Sequence, residues 1–68
     1  MMKIKTMANN QYIVETDERI TFISYETEIA WLDKNTGETW VNPVKYSRIT
    51  SKYTNIFCKE YGIVNNLI

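Results

Sequence analysis

EIAWLDKNTGETWVN, residues 28–42, decides the fold. Two short runs rich in aromatic and branched side chains, EIAWLD (28–33) and ETWVN (38–42), flank the turn residues KNTG (34–37). Gly37 is free to take positive φ, so the segment reads as a β-hairpin. Two registers fit it. A four-residue loop sets Trp31 opposite Trp40, and a three-residue loop with a bulge sets Leu32 there instead. Pro43 then ends the pairing, because it has no N–H to donate.

Upstream, ITFISY (20–25) is β-branched and aromatic and predicts another strand. ETDER (15–19) is a charged turn, and QYIV (11–14) is a further short strand. Downstream of Pro43 the period changes. Ile49, Tyr53, Ile56 and Phe57 follow the i, i+4, i+7, i+8 spacing of one helical face. Ser47 is a good N-cap just ahead of them and Gly62 a natural stop, so a helix is expected from about 47 to 59. Glu60 would fall on the apolar stripe, and Cys58 would lie opposite it, partly exposed. The expected architecture is α+β in one small domain over residues 1–68. An antiparallel meander of three strands, four with QYIV, precedes one C-terminal helix that covers one face.

A chain of 68 residues has a marginal core. Cys58 is its only cysteine and it has no histidine, so neither an intramolecular disulfide nor a His-based zinc site is available. No apolar run approaches the ~20 residues of a membrane span or the ~7 of a signal peptide. This points to a cytoplasmic protein, inside a bacterial host cell if the resemblance described below holds. Met1, Met2 and Met7 are all candidate starts, so the opening residues are expected to be a dispensable leader.

The zero net charge hides an asymmetry. Residues 15–38 carry Glu15, Asp17, Glu18, Glu26, Glu28, Asp33 and Glu38 against Arg19 and Lys34; residues 39–59 carry Lys45, Arg48, Lys52 and Lys59 and no acid. Hydroxyls and cations concentrate in VKYSRITSKY, residues 44–53. In the plain reading Ser47 caps a helix, Thr50 and Ser51 occupy its first turn, and the cations are solvated. In the functional reading the helix N-terminus, with Ser47, Thr50, Ser51, Lys45, Arg48, Lys52 and Lys59, receives phosphates. Tyr46 and Tyr53 would then stack on bases.

YSRITSKY (46–53) resembles the Tyr-Ser-x-Thr-Thr-Ser-Lys-His motif of a family of small, uncharacterised phage and mobile-element proteins. ISYETEIAW (23–31) is similar to that family's Tyr-x-Thr-x-Ile/Val-Ala stretch. The matching positions are Tyr25, Thr27, Ile29, Ala30, Tyr46, Ser47, Thr50, Ser51 and Lys52; Ile49 and Tyr53 depart, the latter standing where the family has histidine. The resemblance implies an origin and no assigned activity.

Catalysis finds little support. A hydrolytic triad lacks its histidine base, and two isolated glycines make no phosphate loop. Asp17, Glu18, Glu26 and Glu28 read as solvated charges, not metal ligands, and no cofactor is implied. Strand 28–33 has large apolar residues on both faces, and one helix covers only one. Tyr25, Trp31, Trp40 and Tyr46 are therefore candidate interface residues for a partner or for a homodimer. Two functions follow. One is a small non-enzymatic nucleic-acid-associated module; the other is a protein-binding inhibitor or adaptor acting on a host complex, such as an anti-defence protein of the anti-CRISPR type.

Overall fold

A computed structural model describes residues 2–44 and 46–64. Five strands form one antiparallel meander in sequence order: β1 (Lys3–Ala8), β2 (Gln11–Glu15), β3 (Arg19–Ser24), β4 (Thr27–Asp33) and β5 (Thr39–Val41). One helix, α1 (Arg48–Tyr61), lies across β3 and β4. The α+β architecture is as expected, with one strand more than the most generous sequence estimate. The additional strand is β1, formed by residues expected to be a leader. Its side chains are mostly exposed and show no apolar alternation, yet its backbone pairs with β2 from Lys3↔Glu15 to Ala8↔Gln11. A bulge at Met7 shifts the register between Thr6 and Ala8, and Met7 packs against the core.

Turn chemistry settles the hairpin register. The Asp33 carboxylate accepts hydrogen bonds from the N–H groups of Asn35 and Thr36 at 2.8 and 3.0 Å. Gly37 takes φ +77° and donates to the Asp33 carbonyl at 2.9 Å. The loop is therefore the four residues 34–37, and Trp31 pairs with Trp40. The β3–β4 turn is tighter. Tyr25 and Glu26 both sit in the left-handed region, at φ 49° and 66°, with no glycine to relieve them. Two left-handed residues give the twist a two-residue hairpin prefers, at a steric cost to Tyr25 and Glu26.

The helix is capped at both ends by its own sequence. The Ser47 hydroxyl accepts from the Thr50 N–H at 3.2 Å. Gly62, at φ 68°, ends the helix, and the Ile63 N–H reaches back to the Cys58 carbonyl at 2.8 Å. Ile63 is buried beside Cys58, completing a Schellman stop. The tail thus turns back onto the core at Ile63; the rest of it beyond 64 lies outside the described residues.

Phe22 and Phe57 are fully buried and stack at 5.8 Å between ring centroids, and Tyr61 packs against Phe57 at 5.0 Å. Ile13, Ile20, Ile29, Ala30, Cys58 and Ile63 complete the core. A second bulge, at Ile29, lets Ile29 and Ala30 both turn inward.

The phase of α1 differs from its apolar spacing. Its buried residues are Thr50, Thr54, Phe57 and Cys58, whereas Ile49 is 52% and Ile56 42% exposed. The helix is rotated by roughly a quarter turn from the expected face. The physical reason is that both threonines bury with their hydroxyls bonded. Thr50 Oγ1 meets Ser24 Oγ at 3.0 Å, and Thr54 Oγ1 donates to the Thr50 carbonyl at 2.7 Å. A satisfied hydroxyl is cheap to bury. Phe57 belongs to both candidate faces, so it anchors either phase. The same rotation buries Cys58, which had been expected to be partly exposed; burial also pushes its thiol pKa up.

Candidate binding surfaces

The residues of YSRITSKY separate into two groups. Thr50 turns into the fold, Ser51 is half-buried, and Ser47, though exposed, is engaged in the helix cap. Ser47 caps the helix through its hydroxyl, which also lies 3.2 Å from Thr50 Oγ1. Thr50 continues the chain of hydroxyls to Ser24, and the half-buried Ser51 donates its N–H to the Ser47 carbonyl at 3.0 Å. The cations turn away. Arg48, Lys52 and Lys59 are all exposed, and the Lys52 ammonium lies 5.6 Å from the Tyr53 ring centroid. Lys45 lies outside the described residues.

At 100° per residue, Arg48, Lys59, Lys52, Ile56 and Ile49 occupy one continuous outward arc of α1, with Glu60 at its rim. The two isoleucines, set seven residues apart, thus sit in solvent beside three cations. Val44 (58% exposed) and Tyr46 (41%) are exposed as well, in the connection ahead of the helix. The Tyr46 hydroxyl accepts a weak 3.4 Å hydrogen bond from Asn42 Nδ2. The first turn carries no acidic side chain, so the positive end of the helix is not neutralised there.

The second surface is the sheet face away from α1. Strand alternation places Phe22, Ala30 and Leu32 under the helix and Trp31 on the opposite side. The register then lines up Ile4, Val14, Thr21, Trp31 and Trp40 as one cross-strand row through all five strands. Neither tryptophan belongs to the core cluster. They stack on each other at 6.3 Å, and the Arg19 guanidinium lies 4.0 Å above the Trp31 ring. Beside this row, Val14, Thr16, Glu18, Arg19, Thr21, Ile23 and Glu28 line an open groove. Of the expected interface residues, Trp31 and Trp40 meet here. Tyr25, 52% exposed, sits in the strained β3–β4 turn, and Tyr46 lies in the connection leading to α1.

Several residues were not singled out in the sequence. Arg19, Val14 and Ile23 owe their place to register, which no local signal reveals. Gln11 is a different case. It is fully buried, pairs with Ser24 across the strands, and among the described residues neither atom of its side-chain amide has a hydrogen-bond partner. Its position at the start of a strand with buried Ile13 was the available hint.

A family model matches residues 2–65, nearly the whole chain. The chain belongs to the DUF8033 family. That family is described as one of unknown function, which agrees with the uncharacterised character of the resemblance read from the sequence. No match was found among curated proteins or among solved structures. Among the described residues of this DUF8033 chain, no helix is long and apolar enough to cross a membrane.

Proposed function

We propose that this DUF8033 chain is a small non-enzymatic binding module that engages a protein partner through the outward face of α1. The observation that carries this reading is the exposure of Ile49 and Ile56 beside Arg48, Lys52 and Lys59. Apolar residues at i and i+7 on a solvent-facing helix are the anchors of helix-in-groove recognition. The cations call for a groove with an acidic rim. They would steer the encounter, while the isoleucines supply the desolvated contact. The resemblance to small phage and mobile-element proteins makes a host complex the natural partner, with this chain as inhibitor or adaptor in the host cytoplasm.

A nucleic-acid partner is the second reading. Arg48, Lys52 and Lys59 share one face, and the helix N-terminus beside them is free of acids. Two exposed isoleucines directly beside these cations contribute nothing to phosphate contact, which is why the protein reading leads.

Affinity capture from a bacterial lysate, with and without nuclease, tests the choice. Wild type should retain a discrete protein after nuclease treatment, and the Ile49→Glu/Ile56→Glu variant should lose it. A catch that disappears with nuclease would instead favour nucleic acid. Direct titration with short oligonucleotides at two salt concentrations would then show a slope falling by nearly one log–log unit per phosphate contact removed.

A further inference from the structure

We infer that α1 has a second seat on the sheet, one residue out of step with the first, and that moving between the two presents or hides Ile49 and Ile56. The buried residues of α1 are Thr50, Thr54, Phe57 and Cys58. Each stands one position after a member of the apolar set Ile49, Tyr53, Ile56 and Phe57. Both sets share the i, i+4, i+7, i+8 spacing of one helical face, and Phe57 belongs to both. A screw motion of one residue, ~100° about the helix axis and ~1.5 Å along it, exchanges one set for the other. Ile49 then takes the place of Thr50, Tyr53 that of Thr54, Ile56 that of Phe57, and Phe57 that of Cys58. The isoleucine anchors leave the outward face, and Arg48 stands where Ile49 was.

Most of the bonds described for the helix and its caps turn with it. The Ser47 cap, the bond from Thr54 Oγ1 to the Thr50 carbonyl and the bond from the Ile63 N–H to the Cys58 carbonyl all lie within the capped helix. The Ser24–Thr50 hydroxyl bond crosses to the sheet and breaks. The connection from Val41 to Arg48 holds no helix or strand among its described residues and takes up the displacement. The shift gives up the burial of two threonines and Cys58 and gains that of two isoleucines now in solvent. Against it, Glu60 is carried to the place of the half-buried Tyr61, and the bulkier set fits less closely between helix and sheet. The first seat is therefore the resident one, and the second is a minor state whose population a partner of either face would shift. Small displacements of a packed helix between two discrete arrangements are a recurrent switching element. The consequence for binding rests on the reading of α1 given above; the motion itself does not.

Cys58 reports the seat, because it is buried in the first and takes the exposed place of Lys59 in the second. The test is the rate at which a thiol reagent labels Cys58 in the full chain, from zero urea to the foot of the unfolding transition. Wild type should label through an opening that depends on urea far less than global unfolding does, since the sheet stays folded. Ile49→Glu/Ile56→Glu bars the second seat and should slow labelling about tenfold or more; Glu60→Leu favours it and should speed labelling by a similar factor while Tm holds. Labelling that follows global unfolding at every urea concentration overturns the proposal. So does an isoleucine variant that labels as fast as wild type, which would mark the opening as fraying of α1. If that variant unfolds, Glu60→Leu decides: an unchanged rate overturns the second seat. These rates are read without a partner, so a failure of the partner reading leaves them unchanged.

Discussion

Replacing Gln11 by methionine should make the protein more stable. Gln11 is fully buried and its amide oxygen and nitrogen both lack a partner among the described residues, so folding strips water from two strong hydrogen-bonding atoms without replacing those bonds there. An unsatisfied buried polar group costs about 1–3 kcal/mol. Methionine is unbranched and close in volume, so it keeps the packing beside Ser24 while removing both atoms. The gain should be at least about 1 kcal/mol, which in a domain of this size raises Tm by roughly 4–8 °C. Urea unfolding should move its midpoint upward with an unchanged slope, since the buried surface is the same. Gln11→Glu is the sharp contrast. It places an ionisable group in the same volume and should destabilise the fold at neutral pH by more than methionine stabilises it, with partial recovery in acid as the carboxyl protonates. A Gln11→Met protein with an unchanged or lower Tm would refute the assignment of an unsatisfied amide.

Other outcomes follow from the packing. Phe57→Ala should cost about 3–5 kcal/mol, most of the stability of so small a domain, while Ile56→Ala should cost about 0.5 kcal/mol or less; equal costs would mean that α1 is phased on its isoleucines after all. Cys58 should react with a thiol reagent only as fast as the protein opens, because burial both shields it and raises its pKa; prompt labelling of the native protein would contradict that. Asp33 is held below its ordinary value of 3.8, chiefly by the Thr36 and then the Asn35 N–H groups, so its contribution is present above that value and is lost as pH falls through the lower folded-state pKa. Melting temperatures across that acid range should fall less steeply for Asp33→Asn, which keeps an acceptor for the turn; identical acid limbs would remove Asp33 as a cause.

The parts of the fold that were legible in the sequence are those set by local chemistry. β-branched and aromatic runs marked β2 to β5, Pro43 marked the change of period, and Ser47 and Gly62 marked the limits of the helix within two residues. β1 was hidden because an edge strand held by backbone pairing needs no apolar pattern. The hairpin register waited on the Asp33 carboxylate and Gly37, whose combined effect is visible only in the turn itself. The phase of α1 was misread for a more general reason. Hydropathy counts threonine as polar, but Thr50 and Thr54 find partners for their hydroxyls and go inside. That exchange sends Ile49 and Ile56 out. The candidate surfaces inherit the same limits. The cations of 44–53 were recognisable, the division of that stretch into a bonded Ser47–Thr50 pair and outward cations was not, and the cross-strand row through Trp31 and Trp40 needed all four strand pairings.

The most direct measurement is the affinity of a nuclease-resistant partner, recovered by capture, for three proteins: wild type, Ile49→Glu/Ile56→Glu and Trp40→Glu. Each buried anchor of such a contact is worth about 2 kcal/mol or more, so the double isoleucine variant should bind about a thousandfold more weakly while keeping its Tm. Trp40→Glu, altered only on the sheet face, should bind the partner as wild type does. Loss of affinity in Trp40→Glu with full binding by the isoleucine variant would contradict the account and move the partner surface to the sheet.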